Sequence, residues 1–192
     1  MINPKIATAA KQLKKDYYSS SPFPSMVFED FLDPTVYSMA AHYAHEITTK
    51  IKENAWRFNK IDAHEHQVDK RGISNVEHLP TILYAISHYA NSPVFINFLR
   101  DLTGIDDLVG DMQLAGGGFH VTDRGGKLGI HHDFTKRTMG GEQYYRHVNL
   151  LIYLNDVWDS SWGGDLELWS PDLTEMVKRI PLKGNTAVLF NI

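Results

Sequence analysis

Gly125-Gly126-Lys127-Leu128-Gly129-Ile130-His131-His132-Asp133-Phe134 is the stretch that decides how this chain folds. Residues 127–133 read as a strand, and side chains alternate from face to face along a strand. His131 and Asp133 therefore share one face, while His132 points away. A histidine and a carboxylate at i and i+2 can grip one ion from a single side. A second histidine from a distant strand would complete a two-histidine, one-carboxylate facial set, which leaves three octahedral positions open. On its own, His-x-Asp is also what a plain strand end looks like, so the surrounding sequence carries the weight.

Working outward, short β-rich runs alternate with glycine and turn residues at 112–122, 127–133, 145–155, 165–170, 174–181 and 186–191. Short strands at such close spacing predict an antiparallel sandwich or barrel rather than a parallel sheet. Residues 134–144, with Gly140-Gly141, are expected to form a functional loop directly after the His-x-Asp pair.

The first half reads helical. Ile6, Ala9, Ala10, Leu13 and Tyr17 have helix spacing over 4–18, and the prolines at 22 and 24 end it. Met26 opens a short strand-like run to Leu32. Asp33-Pro34 predicts an N-cap with proline at N1, opening a helix to about Ile51. Residues 53–76 are polar and weakly periodic, as in a loop with short strand pieces. Residues 79–89 are helical, and Ser92-Pro93 caps a further helix to Leu102 with Gly104 as its stop. Helices first and strands second is an α+β layout. Residues 1–104 are the mainly helical support and 105–192 the strands, within one domain over 1–192.

Composition narrows the chemistry. At 43% apolar over 192 residues the chain can build a core without staples. A formal charge of −4 gives no basic footprint for nucleic acid. No run of apolar residues is long enough for a membrane span, and the first residues lack a secretory layout, so a cytoplasmic location is expected. The absence of cysteine excludes disulfides, thiolate zinc sites and iron–sulfur ligation. A metal site must use imidazole and carboxylate.

The stretch from Gly125 to Phe134 resembles the G-x-L-x-x-H-x-D-F segment of prolyl-4-hydroxylase-like 2-oxoglutarate oxygenases. Four further blocks follow or precede it in the same order. Arg146-His-Val-Asn149-Leu-Leu-Ile-Tyr153-Leu-Asn155 resembles the family's R-x-x-N-L-L-x-Y-L-N strand. Trp158 with Trp162-Gly163-Gly164-Asp-Leu166-Glu-Leu168 is similar to its W…GG-x-L-x-L hairpin. Pro181 with Gly184 to Phe190 matches its P…G-x-x-x-x-F strand, and Pro22 to Leu32 resembles its entry strand.

That resemblance implies a double-stranded β-helix, or jelly-roll, braced by the N-terminal helices. It implies iron(II) on His131 and Asp133, with 2-oxoglutarate as co-substrate and ascorbate as a reductant. Tyr153 matches the tyrosine that bonds the distal carboxylate of 2-oxoglutarate, and Asn149 and Leu151 on the same strand face would line that cavity. The implied reaction hydroxylates a C–H bond of a prolyl residue in a peptide or of a small molecule, with 2-oxoglutarate oxidised to succinate and carbon dioxide. His120, Arg137, Tyr145 and Arg146 are the candidate substrate contacts.

In that family a second histidine, and then a basic residue for 2-oxoglutarate, follow the strand that here ends at Phe190. The sequence stops at Asn191-Ile192, before either position, so the jelly-roll is expected to be incomplete at its C-terminal side. A fragment of a longer product is the leading expectation, with an early stop or a substitute histidine as alternatives. His120, His132 and His147 are the available substitutes; the helical pair His42 and His45 and the loop pair His64 and His66 are set aside as primary sites. The competing function is a non-catalytic jelly-roll binding module, or an inactive fragment lacking the third ligand. Open sheet edges in such a barrel predict self-association.

Overall fold

A computed structural model describes residues 1–50, 59–60, 67–73, 75 and 78–192. Its helices are α1 (Pro4–Ala7), α2 (Ala10–Ser19), α3 (Pro34–Lys50), α4 (Thr81–Ala90) and α5 (Pro93–Thr103). The helix expected over 4–18 is broken at Thr8, whose hydroxyl donates to the Pro4 carbonyl at 3.1 Å and competes with helix continuation. Asp33 caps α3 as its position predicts, its Oδ1 accepting from the Thr35 N–H at 2.9 Å.

α5 follows its sequence signals from end to end. The Ser92 hydroxyl accepts from the Phe95 N–H, Pro93 occupies the first turn, and Gly104 closes the helix at φ 63°. Phe95, Ile96, Phe98, Leu99 and Leu102 are buried along one face, packed against Phe28, Phe31 and Tyr17. A Cβ at Gly104 would meet only the tip of the Lys14 side chain, which can swing aside. The cost of Gly104→Ala is then backbone strain, and we expect a loss of about 1 kcal/mol. A shifted urea midpoint at unchanged m-value is the readout; an unshifted midpoint would remove the left-handed cap from the account.

The strands are all paired antiparallel. β1 (Ser25–Phe28), β10 (Ala187–Asn191) and β7 (Val148–Ile152) form one sheet in the order β1-β10-β7. Period-two alternation splits its residues cleanly. Phe28, Ala187 and Ile152 stand in one row, and Met26, Leu189 and Leu150 in another, all against the helices. Val27 and Val188 face the other way and pack with Tyr153 and Phe190 on the hairpin of β8 (Leu166–Trp169) and β9 (Met176–Ile180). The middle sheet thus lies between a helical layer and a β-hairpin.

A second sheet joins β2 (Asn59–Lys60), β3 (Gln67–Ile73) and β4 (Phe119–Leu128). Lys70 pairs with Thr122 and Val68 with Lys127, so residues 123–126 loop out against Asp69 alone. The runs expected at 112–122 and 127–133 are therefore parts of one bulged strand that ends at Leu128. Residues 111–118 do not join it, because the Asp111 carboxylate accepts from the Gln113 and Ala115 N–H groups and folds them into turns.

Residues 134–144 also differ from expectation. They enter a two-stranded hairpin, β5 (Lys136–Met139) and β6 (Glu142–Tyr145), instead of a structureless loop. Gly140 and Gly141 are its two turn residues at φ 59° and 87°, the left-handed pair that a tight hairpin turn requires. Helices and antiparallel strands agree with the α+β class. Among the described residues the pairings make separate sheets, and barrel closure is not one of them.

Candidate metal and carboxylate site

β4 ends at Leu128, so His131 and Asp133 lie in an irregular segment and not on the strand their spacing predicts. They come together all the same. His131 Nε2 is 3.5 Å from Asp133 Oδ1. The other ring nitrogen, Nδ1, lies 2.8 Å from the Gly129 carbonyl. With its proton donated to that carbonyl, Nε2 presents a lone pair on the Asp133 side, the arrangement that orients a ligating histidine. Two donors each about 2.1 Å from one ion at a right angle stand about 3 Å apart. The observed pair needs only a small adjustment to meet that, so these two residues fit adjacent positions on a divalent cation.

The second carboxylate oxygen is held separately. Asn149 on β7 donates from Nδ2 to Asp133 Oδ2 at 2.9 Å. The Arg146 guanidinium lies 3.9 Å from the same oxygen and 4.2 Å above the Phe134 ring. Phe134 in turn lies against Gly116, where a Cβ would fall 2.5 Å from the ring. Gly116, Phe134, Arg146 and Asp133 thus form a continuous stack that fixes one side of the carboxylate. Arg146 was expected to touch substrate; here its nearest charged neighbour is Asp133.

The remaining candidates are spread over more than one face of the structure. Asn149, Leu151 and Tyr153 follow one another on the face of the middle sheet that looks away from the helices. Four residues of strand put Tyr153 about 13 Å along β7 from Asn149. Tyr153 packs among Leu166, Leu168, Ile180 and Val188. Burial, and then the Asp165 carboxylate, push its pKa up to about 12. A cavity of about 650 Å³ opens between α4, α5 and β7, and Arg137, Tyr145, Arg146 and Asn149 belong to its wall. Arg137 is committed to Asp111 and to Gln113 Oε1, the latter at 2.7 Å. The exposed Tyr145 ring has the Lys136 ammonium 5.7 Å from its centre.

His120 stands on β4 opposite Gly72, with Lys70 one pair away on the same face. Part of His120 is open to solvent, but the protein around its ring, and then the Lys70 ammonium, push its pKa down to about 4. The unfolded chain takes up this proton near pH 6.5 and the folded chain resists it, so stability falls as pH drops through the window from 6.5 to about 4. His120→Gln should flatten that part of the pH profile, as read from urea midpoints at pH 7.5 and 5. An unchanged slope would show that His120 titrates normally.

Lys70 escaped the sequence reading, because residues 53–76 carry no periodic signal that fixes their register against β4. Of the substitute ligands, none reaches the pair. Among the described residues no group of three or more His, Cys, Asp or Glu side chains gathers as a metal site, so His120, His132 and His147 stay apart from it. His42 stacks edge-on against Tyr43 on α3, and His64 and His66 lie outside the described residues. Among the described residues no helix is long and apolar enough to cross a membrane.

No curated protein matches the chain. Residues 117–192, which contain His131, Asp133, Asn149 and Tyr153, match the family model of the 2OG-Fe(II) oxygenase superfamily.

Proposed function

We propose that the chain is an iron(II)- and 2-oxoglutarate-dependent dioxygenase, prolyl-hydroxylase-like in build, that hydroxylates a C–H bond. The observation that carries this reading is the 3.5 Å approach of His131 Nε2 to Asp133 Oδ1 inside the matched region. Iron(II) with 2-oxoglutarate supplies oxidative C–H chemistry when bound there, and residues 129–149 supply the geometry. The Gly129 carbonyl sets the histidine tautomer. Asn149 holds Oδ2 so that Oδ1 faces the ion. Tyr153, half-buried and kept protonated, offers a hydroxyl to the far carboxylate of 2-oxoglutarate. A double-stranded β-helix is the architecture proposed for the strands, and a prolyl residue or a small molecule for the substrate.

The test is uncoupled turnover. With iron(II), ascorbate and oxygen, the chain should convert 2-oxoglutarate to succinate and carbon dioxide, and chelation should stop it. Iron-independent release, or none with iron verifiably bound, would sink the enzymatic reading. The second reading, a binding module without turnover, draws on the donor count: among the described residues no third His, Cys, Asp or Glu side chain joins His131 and Asp133. Metal and 2-oxoglutarate binding without succinate formation would favour it.

A further inference from the structure

The segment between β7 and β8, residues 153–165, sets two tryptophan rings at right angles on the surface. The Trp158 and Trp162 ring centroids are 5.4 Å apart and their planes cross at 82°. A single turn of 3-10 helix over Ser160–Trp162 brings them together, with Asp159 Oδ1 accepting from the Ser161 N–H at 2.8 Å as its cap. Trp158 is fixed in place. Its Nε1 donates to the Gly163 carbonyl at 2.8 Å, and its ring lies where a Cβ on Gly164 would come within 3.1 Å. Trp162 is 63% exposed, and Val157 continues the apolar surface at 73% exposed. Neither indole packs into the hydrophobic core, so folding does not account for the pair.

The charge around these rings has one sign. Asp156, Asp159 and Asp165 lie in the same segment, which contains no lysine or arginine. None of the three forms an ion pair with a described residue. The Ser161 hydroxyl, and then its N–H, hold the Asp159 carboxyl below the usual carboxylate range, so it stays charged. The cations that follow in the chain are already committed, Arg179 to Glu167 and Lys183 to Glu29. Lys136 and Arg146 stand over Tyr145 and Phe134, away from either indole.

Two perpendicular ring faces beside unanswered carboxylates select a cation. An ammonium resting roughly 4 Å from both planes lies within about 6 Å of both centroids, the range over which a ring attracts a cation. A planar guanidinium can lie flat on only one of the two rings, so the corner suits an ammonium better. We propose that the Trp158–Trp162 corner is a docking point for a lysine side chain of a partner polypeptide. Small-molecule sites are concave and enclose their ligand, whereas this corner is open and Val157 extends it. A polypeptide can seat its ammonium between the rings, cover Val157 with a neighbouring residue, and bring further basic groups to Asp156 and Asp159. Nothing in this assignment depends on the metal-site reading.

The experiment uses the whole ¹⁵N-labelled chain and follows its indole N–H signals by NMR. Trp158→Phe and Trp162→Phe assign the two signals, and Trp169, whose indole N–H is bound to Glu167 at 3.1 Å, is the internal reference. The probes are the peptide Ac-Gly-Lys-Val-Lys-Gly-NH₂, the same peptide with norleucine or arginine for lysine, and choline. The lysine peptide should move the Trp158 and Trp162 signals along a saturable curve and leave Trp169 still. The norleucine peptide should bind about fivefold more weakly, and Trp162→Ala should weaken the lysine peptide by a similar factor. Asp156→Asn should weaken it by about twofold, and added salt should do the same. The urea midpoint of Trp162→Ala should match wild type, because that ring lies outside the core.

Equal binding of the lysine and norleucine peptides would make the pair a plain apolar patch and overturn the proposal. Tighter binding of the arginine peptide would remove the corner geometry from the account. Choline saturating at the same concentration as the lysine peptide would assign the rings to a small cation, and the polypeptide partner would go. No movement of either indole signal with any probe also overturns it.

Discussion

Asn185→Ala is expected to destabilise the chain by about 3 kcal/mol, a large share of what holds a domain of this size together. Asn185 is 6% exposed and sits at φ 57° in the turn before β10. Its Oδ1 accepts from the Leu32 N–H at 2.8 Å, and its Nδ2 donates to the Leu32 carbonyl at 3.1 Å. Its backbone N–H reaches the Tyr153 carbonyl and its carbonyl takes the Phe31 N–H. One side chain thus ties the link between β1 and α3 to the turn that feeds β10. Truncation strands both polar groups of Leu32, itself 1% exposed, at about 1–3 kcal/mol for each unsatisfied group. Alanine also resists the left-handed backbone by about 1 kcal/mol. Asn185→Gly relieves the strain but not the lost bonds, so it should recover about a third of the deficit. Urea unfolding of the three proteins checks this order; equal midpoints for the wild type and Asn185→Ala would mean that water replaces both bonds at no cost.

The contrast between Asn185 and α5 shows what the sequence makes legible. Ser92, Pro93 and Gly104 act on backbone groups within four residues of themselves, so their effect can be read without knowing the fold. Asn185 acts on Leu32, 153 positions away, and nothing local announces it. The His-x-Asp pair is an intermediate case. Its two side chains do meet, but strand alternation is not the cause. The segment is irregular, and the Gly129 carbonyl and Asn149 bring the donors together. The hairpin at 136–145 carries a usable signal in Gly140-Gly141, although its short strands are polar and show no apolar alternation. Lys70 had none, since the bulge of four residues opposite Asp69 shifts the β3–β4 register by an amount that composition does not encode.

Removing the hydrogen bond behind the carboxylate should cost a large part of the metal affinity, though less than removing the carboxylate itself. In Asp133→Ala the charged donor is gone, and the single imidazole of His131 should leave Mn(II) binding undetectable at millimolar metal. In Asn149→Ala both donors remain, yet Oδ2 loses its 2.9 Å anchor and the carboxylate can rotate toward Arg146, 3.9 Å away. Turned that way, Oδ1 no longer faces His131 Nε2, and each binding event must first re-form the pair. Outer-shell partners of this kind typically contribute about 10- to 100-fold in metal affinity, and that is the expected loss. Stability should hardly move, because Asn149 stands on the face away from the helical core while its neighbours Val148 and Leu150 do the packing. Mn(II) titration monitored by the electron paramagnetic resonance of the free ion, beside urea unfolding of each variant, separates the two effects. If Asn149→Ala binds Mn(II) within twofold of wild type, Asp133 is held by the backbone alone. The Asn149 contact would then be incidental to the site.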